Sequence, residues 1–176
     1  MVSFPFELRI AGSGEDSYLA SLKNLAAELG IDRRVTWLDW VGGEGKFRTL
    51  SEAGLLVLTS QNENFANVVI ESLSVGTPVL LSDQVGLCDY VLEKDLGWVT
   101  PLDVAQITLT LENAFRDEAK RRRIREQAPR LIRRDFEERE VAVGYFKAYQ
   151  RFCPTPGIRA PERPLLGDTP FQEGKR

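Results

Sequence analysis

The 176-residue chain contains no histidine. That absence removes a Ser–His–Asp or Cys–His nucleophile system, a histidine general base and any histidine-ligated metal from the chemistry these residues can perform. Its two cysteines, Cys88 and Cys153, are too few and too far apart for a disulfide framework or a zinc site, which points to a reducing, cytoplasmic setting. No apolar run approaches the roughly 20 residues that cross a bilayer. The opening "MVSFPFELRIAGSG" lacks the basic-then-apolar layout of a secretory signal. Charge of neither sign dominates, and a net charge of -3 gives no reason to expect nucleic acid as a partner. Any chemistry must therefore use carboxylates, lysine, arginine, hydroxyls or backbone groups.

What is present reads as one domain of alternating elements. The runs "FELRIAG" (6–12), "RVTWLDWV" (34–41), "GLLVLTS" (54–60), "TPVLLSD" (77–83) and the shorter "GWVTP" (97–101) predict strands buried on both faces. Between them "EDSYLASLKNLAAELG" places Leu19, Leu22, Leu25, Ala26 and Leu29 on one helical face, with Gly30 as the C-terminal cap. "GKFRTLSEAG" and "NVVIESLSVG" predict shorter helices closed by Gly54 and Gly76. Strand and helix in alternation imply parallel strands joined by crossover helices, a doubly wound α/β sheet of Rossmann-like type. After Pro101 the pattern turns helical, with a kink or break expected at Pro129, and a closing helix carries Val141, Tyr145, Phe146 and Tyr149 on an apolar side. Five of the nine prolines follow Cys153, so residues 1–152 are expected to form the domain and 153–176 a flexible tail.

The stretch "NENFANVVIESLSVGTPVLLS" (62–82) sets two carboxylates, Glu63 and Glu71, around a strand-to-helix junction. On a continuous helix eight residues rise ~12 Å, beyond the ~5–9.5 Å of a glycosidase acid/base pair. The spacing suits another layout, with Glu63 in the loop at the carboxyl edge of the sheet and Glu71 about one turn into the following helix. That edge is where open α/β sheets bind ligands. The helix start offers unpaired N–H groups and a positive dipole end, which suit a diphosphate. Ala66 is small enough for a phosphate or sugar to approach the backbone, and each carboxylate can accept from vicinal hydroxyls of a ribose or hexose. A nucleoside-diphosphate sugar supplies all three groups. A solvated loop glutamate beside a first-turn glutamate that complements the dipole accounts for the same residues without any ligand.

The run "NENFANVVIESLSVGTPVLLSDQVGLCDYV" resembles the donor-binding region of the retaining, GT-B-fold glycosyltransferases called group 1 or family 4, whose E-x7-E motif is matched by Glu63 and Glu71. "LRIAGSGEDSYLASLKNLAAELGI", "RVTWLDWV", "AGLLVLTS", "GTPV" and "GWV" also resemble that family's C-terminal domain, over roughly residues 6–150. The resemblance implies that Glu71 binds ribose hydroxyls and that Glu63, the catalytic candidate, contacts the transferred sugar. It implies that the N–H groups of Asn67 and Val68 hold the diphosphate, that Asn64, Phe65 and Ala66 line the donor loop with Phe65 packed under it, and that Val41 and Lys46 lie beside the base. Gly12 and Gly14 fall at the same ligand edge. Where many members have glycine this chain has Ala66, which disfavours a positive φ. The implied donor is a UDP- or GDP-sugar, with no metal or cofactor, and the implied reaction is transfer of a hexose-type sugar to an acceptor hydroxyl. Members also carry an N-terminal acceptor-binding domain, and their C-terminal domain opens with one more strand and helix bearing a basic pair. Neither is matched here, so the chain alone is expected to transfer little or no sugar and to need an acceptor domain or partner chain.

Other features have plainer readings. "AGSGED" lacks the third glycine of a dinucleotide fingerprint and reads as a strand-to-helix turn, with an NAD site as the alternative. Trp37 and Trp40 read as core or interface packing rather than base stacking. "KRRRIREQAPRLIRR" reads as a solvated helix face, with attraction to an anionic membrane surface as its functional alternative. Asp89, Glu93 and Asp95 read as surface charge, and Cys88 as a small apolar residue. The rival to the transferase reading is a non-catalytic α/β interaction module or degenerate donor-binding domain that pairs with another chain.

Overall fold

A computed structural model describes residues 2–137 and, beyond them, 142, 143, 145–147 and 149. Residues 1–129 form one compact unit and 130–176 a second. The predicted tail and Cys153 lie outside the described residues, as does Val141. Of the expected apolar side in the second unit, Phe146 is half-buried, whereas Tyr145 and Tyr149 are exposed.

All five predicted strands form, and all pair in parallel. β1 (Leu8–Ala11) runs beside β2 (Val35–Leu38), with Leu8 opposite Val35 and Ala11 opposite Leu38. β4 (Val79–Ser82) lies between β3 (Leu56–Leu58) and β5 (Gly97–Thr100). The architecture is α/β, as expected, and the strands form two ladders, β1-β2 and β3-β4-β5, with no ladder between them. This split matches a doubly wound sheet lacking its first, central strand–helix unit.

Burial follows the pairing. Val79, Leu80 and Leu81 are fully buried in β4, which among the described residues is the one strand with a neighbour on each side. Each such side chain contributes about 1.5–3 kcal/mol by leaving water. β1 and β3 depart from the expectation of two-sided burial, since Leu8 is 38% and Val57 39% exposed. A parallel strand is buried only where strands flank it and helices cover both faces, and β1 and β3 each have a single partner.

The helices follow the local signals. α1 (Asp16–Glu28) ends at Gly30, whose φ of +67° fits the left-handed cap, with Ile31 N–H returning to Ala26 O at 2.9 Å. Only Ala26 of its apolar face is buried, while Leu25 and Leu29 are half exposed. α2 (Gly43–Glu52) ends at an extended Ala53, so Gly54 is not its cap. α3 (Asn67–Ser74) buries Val69, Ser72 and Leu73 and ends at Gly76, φ +84°. α4 (Cys88–Glu93) precedes β5. α5 (Val104–Arg116) begins under Asp103, whose carboxylate accepts from Gln106 N–H at 3.0 Å. α6 (Glu118–Asp135) passes through Pro129 without the expected break. Proline removes the bond to the Arg125 carbonyl, and that oxygen would sit only 2.7 Å from a Cβ at Gly76, so the residue that ends α3 also admits it.

Candidate functional site

The loop from β3 to α3 is fastened to the loop after β4. Glu63 N–H donates to Gln84 O at 3.3 Å, Gly86 N–H donates to Glu63 O at 2.8 Å, and Glu63 pairs in parallel with Val85. Gly86 is required by space, because a Cβ there would lie 1.9 Å from Asn64 O. Below it, the Ser82 hydroxyl donates to Ser60 O at 2.5 Å and ties the ends of β3 and β4. Glu63 is half-buried, Asn64 is exposed, and Phe65 is 48% exposed.

Ala66 is the cap residue of α3. It is buried and takes the left-handed conformation, φ 55°, ψ 70°. That conformation costs a residue other than glycine about 1–2 kcal/mol, and strain of this kind concentrates at ligand sites. Ala66 has no side chain that could accept from the first turn, so the leading N–H groups, those of exposed Asn67 and half-buried Val68, remain for an anion or water.

Glu71 lies in α3 with its side chain 24% exposed, and Lys46, one turn into α2, donates from Nζ to its Oε1. This ion pair brings together the segments that follow β2 and β3. Its placement depends on Thr77, which is fully buried. The Thr77 hydroxyl donates to Leu50 O at 2.7 Å, and the Ser72 hydroxyl donates to Thr77 O at 3.0 Å. "GTPV" thus locks the entry of β4 to the end of α2 and to α3. The motif was visible in the sequence, but the partner carbonyl belongs to a distant element. Gly86 gave no signal beyond its being glycine.

The remaining candidates lie on neighbouring loops. Gly12, φ +144°, and Gly14 are exposed in the turn after β1. Val41 is half-buried ahead of α2, and Trp40 beside it is 79% exposed, which excludes the core half of its reading and leaves interface packing. Trp37 is half-buried, with the Lys23 ammonium 5.9 Å from its ring centre. Among the described residues no group of three or more His, Cys, Asp or Glu is placed to hold a metal ion. No described helix is long and apolar enough to cross a membrane.

The basic run of α6 is less free than its sequence suggested. Arg121 donates to the carbonyls of Ala114 and Phe115 at the end of α5, and Arg122 pairs with Glu118 at 2.9 Å. Arg123 and Lys120 both bind Asp95, and Arg125 donates to Ala53 O. Asp95, read from sequence as plain surface charge, is an anchor: Lys120, by its hydrogen bond, holds the carboxyl below the usual carboxylate range. Burial pushes the Cys88 thiol up, in keeping with an inert, packed side chain.

Comparison with known proteins places the chain in a family. Residues 5–131 match the family model described as glycosyl transferases group 1. An uncharacterized glycosyltransferase of Methanocaldococcus jannaschii is 30% identical over 112 residues, covering 63% of this chain and 28% of that protein. The D-inositol 3-phosphate glycosyltransferase of Corynebacterium efficiens is 34% identical over 85 residues, 48% of this chain and 20% of that protein. Anabaena HepE, solved with UDP and glucose, superposes with a TM-score of 0.69 at 21% identity, over 83% of this chain and 40% of that one, a likeness of fold. The chain spans well under half the length of these relatives. With more than half of its residues matched by the family model, the chain belongs to the group 1 glycosyltransferases.

Proposed function

We propose that this chain is the nucleotide-diphosphate-sugar-binding part of a retaining glycosyltransferase that moves a hexose-type sugar from a UDP- or GDP-sugar to an acceptor hydroxyl. The observation that carries the reading is the junction at 63–71, where an uncapped helix start behind a left-handed Ala66 lies between two carboxylates, one of them paired to Lys46. In this reading the N–H groups of Asn67 and Val68 hold the diphosphate and take up charge as it leaves. Glu71 accepts from the ribose diol, Glu63 from the transferred sugar, and Val41 and Lys46 flank the base. Lys46 occupies Oε1 of Glu71 while each carboxylate oxygen keeps further lone pairs, so a diol can join the pair or displace the ammonium. UDP in the solved HepE complex supports a uridine donor by analogy of fold. The acceptor half is supplied by an acceptor domain or a partner chain, and the 176 residues alone turn over little or no sugar.

Calorimetric titration with UDP and GDP, on wild type and on Glu71→Gln, tests the assignment. Hydrogen bonds to a charged group are worth about 1.5–3 kcal/mol, so the variant is expected to bind the nucleotide at least tenfold more weakly. Equal affinity would remove Glu71 from the site, and steady sugar transfer by the purified chain would overturn the expectation of inactivity. The split between the two ladders favours a second reading, a non-catalytic module that engages a partner; wild-type protein that binds neither nucleotide would select it.

A further inference from the structure

A diol that reaches Glu71 meets an ammonium already there, because Lys46 Nζ donates to Glu71 Oε1. Among the described residues Oε2 of that carboxylate has no partner, and the ammonium keeps two further N–H groups. The ammonium also lies 5.6 Å from the centre of the Phe47 ring, a contact that uses up no hydrogen bond. The Lys46 side chain is 35% exposed and that of Glu71 24%, so neither is sealed off from a ligand. An ion pair this exposed contributes little to stability. Its geometry is set elsewhere. The Thr77 hydroxyl fastens the end of α2 through Leu50 O, and the Ser72 hydroxyl of α3 donates to Thr77 O, all three residues being buried. The spacing of Lys46 and Glu71 is therefore held by buried hydrogen bonds before any ligand arrives, the condition under which a polar contact discriminates between ligands.

An acceptor and a donor held side by side match a ligand group that both donates and accepts. A phosphate only accepts, and Glu71 repels it. A cationic amine only donates, and Lys46 repels it. A hydroxyl does both, and a vicinal diol does so twice. We propose that Lys46 is a specificity-determining residue of the donor site. Its ammonium stays on Glu71 and donates to one ribose hydroxyl while the carboxylate accepts from the diol, so the pair selects nucleotides with an intact 2′,3′-diol. The aliphatic stem of Lys46 still flanks the base. This role rests on Glu71 lying in the donor site, and it adds a second charge to the recognition of the ribose.

Calorimetric titration of the full chain with UDP and GDP, and with their 2′,3′-dideoxy forms, tests it on wild type, Lys46→Met, Lys46→Arg and Glu71→Gln. The dideoxy forms keep the base and the diphosphate and lack only the diol. Wild type should prefer the ribose form by about tenfold or more, and Lys46→Met should lower that preference about tenfold, the worth of one hydrogen bond to a charged group. The loss should fall on the ribose form alone, with the dideoxy form unchanged. Lys46→Arg, which still donates, should restore part of the preference. Equal weakening of both forms by Lys46→Met would mean that the ammonium serves the diphosphate or the base, and tighter binding of the ribose form would mean that it obstructs the diol; either result overturns the proposal. If Glu71→Gln lowers the preference and Lys46→Met does not, the donor site stands and the role of Lys46 falls. If wild type binds neither nucleotide, or Glu71→Gln changes nothing, the donor site itself falls and takes this role with it.

Discussion

Replacing Gly86 by alanine tests how the Glu63 loop is held. Its φ lies outside the left-handed region, so space alone opposes a side chain there. The added Cβ would meet Asn64 O at 1.9 Å and its carbonyl carbon at 3.0 Å, and both atoms are backbone, so no flexible side chain can yield. The molecule has two ways out. Keeping the loop in place requires a shift of more than an ångström in packed backbone, and even modest overpacking costs about 1–3 kcal/mol. Releasing the loop forfeits the bonds from Glu63 N–H to Gln84 O and from Gly86 N–H to Glu63 O, at about 1 kcal/mol each. Release is the cheaper route and sets the expected loss at about 2 kcal/mol. With a urea slope of ~2 kcal/mol/M, the unfolding midpoint should fall by about 1 M. Amide exchange at Glu63 and Gly86 should quicken, and nucleotide binding should weaken with the displaced carboxylate. A stability change below about 0.5 kcal/mol with both amides still protected would refute the claim that this contact holds the loop.

Leu80→Ala removes a fully buried side chain from the central strand of the larger ladder. It should cost about 2–5 kcal/mol in urea unfolding, and a loss under 1 kcal/mol would deny β4 its place as the core. Asp95 takes a left-handed φ of 52°, which asparagine tolerates, so Asp95→Asn isolates the charge. Because Lys120 depresses the folded carboxyl, its stabilisation is present above the unfolded value near pH 4 and is lost as pH falls through the lower folded value. The side chain is 55% exposed, so the variant should lose under about 1 kcal/mol at pH 7. That difference should shrink as pH falls below the unfolded carboxyl's range, and a difference growing toward low pH would reverse the assigned sign.

Much of the fold was legible because local patterns agreed with tertiary ones. Val79–Leu81 is an unbroken aliphatic run, and it became the buried strand. Gly30 and Gly76 stood where helices stop, and both took positive φ. Ala66 was marked as a residue ill suited to positive φ, and it adopts that conformation. The misreadings share a cause. Pro129 read as a kink or break, and α6 runs through it without a break, the freed Arg125 carbonyl packing against Gly76 just past the end of α3. Trp40 read as core or interface packing and Leu25 as part of the apolar face of α1, and their exposure leaves Trp40 only the interface half of its reading. The α6 arginines looked like free charge, while their partners lie on α5, at Asp95 and at Ala53.

Periodicity and residue type by themselves determined the order and kind of the elements, the parallel class of the sheet and the junction that carries Glu63 and Glu71. These are local properties, written in side-chain spacing and backbone preference. Only the tertiary structure decided that the strands form two ladders, that Lys46 meets Glu71, and that Gly86 makes room for the loop. Each of these joins residues far apart along the chain, and such a contact is fixed by how packed elements fill space rather than by any local pattern.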